Sequence, residues 1–92
     1  MKLITSAQNE QLKHLSKLLT QSKARREYGQ TVLEGVHLLQ VYLEAGYTPK
    51  QVYLPESKNT HPEIRNLISS LDEDGITWVG NEALSKITSL ND

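Results

Sequence analysis

Apolar positions along the 92-residue chain change their period twice. Leu12, Leu15, Leu18 and Leu19 recur at helical spacing, one stripe of an amphipathic helix. Asn9 stands where an N-cap belongs, with Glu10 in the first turn, where a carboxylate suits the helix dipole. Gln21-Ser22 breaks the pattern, and Lys23 to Tyr28 reads as a second short helix stopped by Gly29. Thr31-Val32-Leu33 then predicts a strand, with Glu34-Gly35 turning out of it. Residues 36–45 carry Val36, Leu38, Leu39, Val41, Tyr42, Leu43 and Ala45. That arc is too wide for a surface helix, so a largely buried helix is expected, with Gly46 as its C-cap.

The second half alternates. Gln51 to Leu54 predicts a strand closed by Pro55. Thr60 and Glu63 have capping-box spacing, although Pro62 disfavours helical angles at His61 and leaves the start open by one residue. Ile64, Leu67, Ile68 and Leu71 continue that helix, and residues 72–75 end it. Ile76 to Val79 is a third strand, and Asn81 opens a last helix carrying Leu84 and Ile87. Strands alternating with helices predict an α/β fold, a small and mostly parallel sheet with helices on its faces. Three strands are few for that architecture, so the pattern leaves room for a fourth.

Composition narrows the function. Leu, Ile and Val number 24, about a quarter of the chain, above the roughly one-fifth below which chains stay disordered. There is no Cys, which excludes disulfides, thiolate metal sites and a cysteine nucleophile. No apolar run approaches the roughly 18 residues of a membrane span, and no signal peptide is recognisable, so no membrane partner and a cytoplasmic location are expected. His14, His37 and His61 are far apart without carboxylates at ligand spacing, so no metal site is expected. No Ser lies in a nucleophile elbow, and no Gly-rich phosphate loop follows a strand.

Charge is the informative feature. Residues 1–26 hold six bases (Lys2, Lys13, Lys17, Lys23, Arg25 and Arg26) against one acid, net +5, whereas residues 27–92 are net −6. One end therefore offers itself to something acidic. Lys13 and Lys17 lie one turn apart beside the leucine stripe and must project together into solvent. Arg25 and Arg26 suit two-pronged phosphate contacts, with Lys23 as a point charge nearby. Tyr28, beside Arg25 and Arg26, is the one aromatic placed to stack on a base.

Several pieces in fixed order carry a family resemblance: Ile4-Thr5-Ser6-Ala7-Gln8-Asn9, Lys13, Leu18-Leu19, Lys23-Ala24-Arg25, Gly29, and Leu33-Glu34-Gly35-Val36-His37-Leu38. Together they resemble the opening of the SpoU (TrmH-like) family of RNA ribose 2′-O-methyltransferases. Glu10 stands where that family usually has Pro, and Thr31 where an aromatic is common. The resemblance implies an α/β/α sandwich with a three- to four-stranded sheet, preceded by a basic helical arm. It implies one RNA-binding domain over residues 1–92, with the arm at 1–29 and the α/β core at 30–92. Lys23 and Arg25 would bind RNA, with Asn9 and Lys13 in support, while Arg26 and Lys17 join them on charge alone. The expected partner is structured RNA, rRNA or tRNA.

The family's knotted catalytic domain, which binds S-adenosylmethionine and dimerises, is not expected in this chain. No catalytic residue and no cofactor are therefore assigned here, and homodimerisation is expected of the full-length protein through that domain. The closing Ser89-Leu90-Asn91-Asp92 has a superficial likeness to a motif of the knotted domain, read here as coincidence. Two other readings remain: a free-standing binder of kinked RNA, and a protein-interaction module with a basic arm.

Overall fold

The computed structural model describes residues 1–88, the side chain of Thr88 excepted; residues 89–92, including the closing Ser-Leu-Asn-Asp, lie outside the described residues. In chain order the elements are β1 (Leu3–Ile4), α1 (Glu10–Thr20), α2 (Ser22–Tyr28), α3 (Val36–Glu44), β2 (Val52–Pro55), α4 (Pro62–Ile68), β3 (Ile76–Val79) and α5 (Asn81–Thr88). Short 3-10 turns at Glu56–Lys58 and Glu73–Gly75 follow β2 and precede β3.

The sheet order is β1-β3-β2, and both pairings are parallel. Val52 to Pro55 lie opposite Ile76 to Val79, while Leu3 and Ile4 lie opposite Trp78 and Val79. Because side chains alternate along a strand, the two faces divide cleanly. Val52, Leu54, Ile76 and Trp78 face Ile64 and Ile68 of α4, with Val36 and Leu39 of α3 and Leu71 packed alongside. Ile4, Val79 and the half-buried Tyr53 face the other way, onto Leu12, Leu15 and Leu19 of α1 and Ala83, Leu84 and Ile87 of α5. The result is three layers, helices on both faces of a parallel sheet, as the alternation of elements predicts. Every residue of β3 is buried, the normal condition of a central parallel strand. Its one polar member, Thr77, accepts a 2.7 Å hydrogen bond from Gln51 Nε2, which satisfies a hydroxyl that burial would otherwise make costly.

Local signals explain the helix ends. Gly46 closes α3 at φ 91°, a left-handed conformation that favours glycine. Its N–H bonds to Leu43 O and that of Tyr47 to Tyr42 O, a paired Schellman closure over which the two tyrosine rings stack at 5.2 Å. In α4 the start falls at Pro62, with His61 as N-cap; proline suits the first helical position, where an N–H has no partner to lose.

Two expectations are corrected. Residues 31–33 form no strand; Leu3–Ile4 take the sheet edge instead, tied by Trp78 N–H to Lys2 O and Gly80 N–H to Ile4 O. With β2 on one side of β3 and β1 on the other, that central strand has no free edge, and β-propensity does not make a strand without a partner. The second correction concerns α3, which has no fully buried residue. Val36 and Leu39 reach the core, whereas Leu38 and Val41 are about half exposed, 47% and 48%. A sheet three strands wide supports one side of this helix, and nothing among the described residues covers the other.

Candidate nucleic-acid interface

The basic residues lie on α1 and α2, which form a hairpin docked on the sheet. Asn9 starts α1 by accepting the Gln11 N–H on Oδ1 at 2.8 Å, so its side chain serves as a cap. Leu12 is completely buried, Leu18 nearly so, and Leu15 and Leu19 lean on the same core. That docking fixes the outward stripe. Glu10, Lys13, Lys17 and Thr20, at helical spacing, are all exposed. Lys13 Nζ lies 3.8 Å from Glu10, a surface pair worth under about 1 kcal/mol that leaves the ammonium accessible.

Gln21 is the joint. It is extended, ends α1 through its N–H to Lys17 O, and begins α2 by accepting the Arg25 N–H. Ala24 is buried, and a side chain that small lets two helices approach closely. Gly29 at φ 64° stops α2, and the Gln30 N–H reaches back to Arg25 O.

The hairpin is fastened by side chains near both of its ends. Close to the joint, Arg25 Nη1 donates to Leu18 O at 2.7 Å. At the far end, His14 of α1 meets the segment that follows α2. Its Nε2 lies 2.9 Å from Gln30 Oε1, and its ring stands at 84° to that of Tyr28, with centroids 4.7 Å apart.

The predicted residues therefore fall into two groups. Lys13, Lys17, Lys23 and Arg26 are exposed, with Lys23 and Arg26 neighbours at i, i+3 on α2. Asn9 and Arg25 are half-buried, and each already makes a structural hydrogen bond. Arg25 retains further donors, since a guanidinium carries five. His14 and Gln30 are separated by 16 positions, and no local pattern in the sequence links them.

The remaining surface offers less chemistry. The shallow hollows beside the end of α3 have Thr48, Lys50, Asp72 and Asp74 in their lining, two carboxylates against one cation. Among the described residues no three His, Asp or Glu side chains gather at metal-binding distance, and no helix is long and apolar enough to cross a membrane.

The family model of the MRM3-like substrate binding domain matches residues 9–92, from the cap of α1 onward. No curated protein and no solved structure matches the chain.

Proposed function

This chain belongs to the MRM3-like substrate-binding domain family, and we propose that it grips RNA for an S-adenosylmethionine-dependent ribose 2′-O-methyltransferase acting on rRNA or tRNA. A substrate-binding domain of an RNA methyltransferase related to the SpoU family is what the family match itself supports. The observation that carries the proposal is charge placement. Lys13, Lys17, Lys23 and Arg26 are exposed on one helix hairpin, while residues 27–92 are net negative and repel phosphate. Asn9 and Arg25 hold the hairpin in shape, and the spare donors of Arg25 add to the grip.

Methyl transfer belongs, in this proposal, to the knotted domain of the full-length protein, which pairs with a second copy there and works in the cytoplasm. No residue of this chain is assigned to the cofactor in this proposal. In this proposal the cations of residues 1–29 contact the RNA, while residues 30–92, with β1 and the buried side of α1, form the supporting core.

Salt dependence of RNA binding tests the reading. Each lost phosphate contact lowers the slope of log K against log salt by roughly 0.7 to 1. The triple variant Lys17→Glu, Lys23→Glu, Arg26→Glu should bind a structured RNA weakly and with a flattened slope, at unchanged circular dichroism. Lys50→Glu with Lys58→Glu should bind like the parent. Equal damage from the two sets would defeat the proposal.

A further inference from the structure

We propose that Tyr28 is a stacking platform for one unpaired RNA base, held in position by His14 and Gln30. This deepens the RNA-gripping role and rests on it. Tyr28 is 50% exposed at the C-terminal end of α2, although the hairpin offers buried positions such as Ala24 one turn earlier. Its exposure is paired with restraint. The His14 ring stands perpendicular to it at 4.7 Å, and His14 is itself held by Gln30 at 2.9 Å. A perpendicular neighbour covers at most one face of the phenol ring, and half of the residue's surface remains exposed.

The surroundings suit a nucleotide. Arg25 precedes Tyr28 by one helical turn, and Lys17 follows His14 by one turn on α1. Both lie towards the joint of the hairpin, so a base on the ring would have cations on that side for a neighbouring phosphate. Glu27 is the adjacent acid, and it is rotated about 100° around the helix from Tyr28. A fixed ring loses little freedom on binding, which is how a pre-positioned aromatic gains affinity. A base inside a duplex is covered by its neighbours, so the occupant is a base from a loop, bulge or strand end.

The test compares two RNAs carrying equal numbers of phosphates, a hairpin with an unpaired loop and a blunt duplex, each titrated with the 92-residue chain. Tyr28→Leu should weaken binding to the looped RNA about 10- to 100-fold, the range of one base–aromatic stack. It should leave duplex binding and the salt slope unchanged. Tyr28→Phe should bind like the parent, because the ring and not the hydroxyl does the stacking. His14→Leu, which frees the ring, should fall between them. In the parent, 2-aminopurine in the loop should change its emission on binding.

Unchanged looped-RNA binding by Tyr28→Leu would overturn the platform, as would equal losses on both RNAs, which mark a structural residue. Should the parent bind RNA with the charge-dependent slope while Tyr28→Leu matches it, the platform alone falls. Failure of the parent to bind either RNA removes the platform and the RNA-gripping role together.

Discussion

Arg25 and Leu18 are joined across the α1–α2 hairpin, Nη1 of one lying 2.7 Å from the carbonyl oxygen of the other. Leu18 is in the last turn of α1, where carbonyls have lost their helical partners and positive charge is favoured. Arg25→Ala should therefore lower stability by roughly 1.5–3 kcal/mol, the range for a hydrogen bond to a charged group. Lys23→Ala, on the exposed side, should stay within about 0.5 kcal/mol. Urea midpoints read both. Matching midpoints for the two variants would show that the tie does not form in solution, and that Arg25 is free for phosphate alone.

The layered core predicts a graded response to truncating leucines. Leu12 has no exposed surface, so Leu12→Ala should cost roughly 2–5 kcal/mol. Leu39 is half-buried against the α4 side and should cost less, while Leu38, 47% exposed on the same helix, should change little. Thermal denaturation of the three variants orders them. A Leu38→Ala loss as large as that of Leu12→Ala would mean the outer side of α3 is covered in solution.

The cap on α1 is a third point of attack. Asn9→Ala removes the acceptor for the Gln11 N–H and should destabilise by about 1 kcal/mol, whereas Asn9→Asp should restore most of that. A cap repaired by Asp with RNA binding still impaired would give Asn9 a direct contact as well.

Alkaline pH probes the sheet's other face. Burial raises the Tyr53 phenol above its usual 10.0, with a hydrogen bond to Gln11 acting in the opposite sense. The folded state therefore holds this proton more tightly than the unfolded chain does. Its contribution is constant below pH 10.0 and is lost as pH rises from there through the folded-state value. Urea unfolding of the parent and Tyr53→Phe on both sides of pH 10.0 should show the variant losing less stability. Parallel pH profiles would count against a buried phenol.

Most elements were legible because their signals are local. The stripe of Leu12, Leu15, Leu18 and Leu19 and the flanking Asn9 and Gly29 define the hairpin without tertiary information. β2 and β3 are legible as short apolar runs, one closed by Pro55 and the other opened after Gly75. The edge strand was missed because Leu3–Ile4 is too short to show a period, and its partner lies near the other end of the chain. Burial of α3 was overestimated because an apolar arc records what a helix offers, while its burial depends on what covers it. Within the site, the run of cations is plain in the sequence. The structural engagement of Arg25 and the His14–Gln30 link are not, since both join groups from different segments.

The strand order has a consequence for the timing of folding. β1 and β2 each pair with β3 and not with one another. During synthesis, two of the three strands therefore leave the ribosome with nothing to pair with. Helices α1 to α4, 7 to 11 residues long, are marginal without packing partners, and the sheet waits until Ile76 to Val79 emerge. Leu3 must then return across nearly the whole chain to meet Trp78, a loop closure whose entropy is lost before the contact repays it. Nascent chains shorter than about 76 residues should thus lack the sheet, and they remain exposed to aggregation until the last strand arrives.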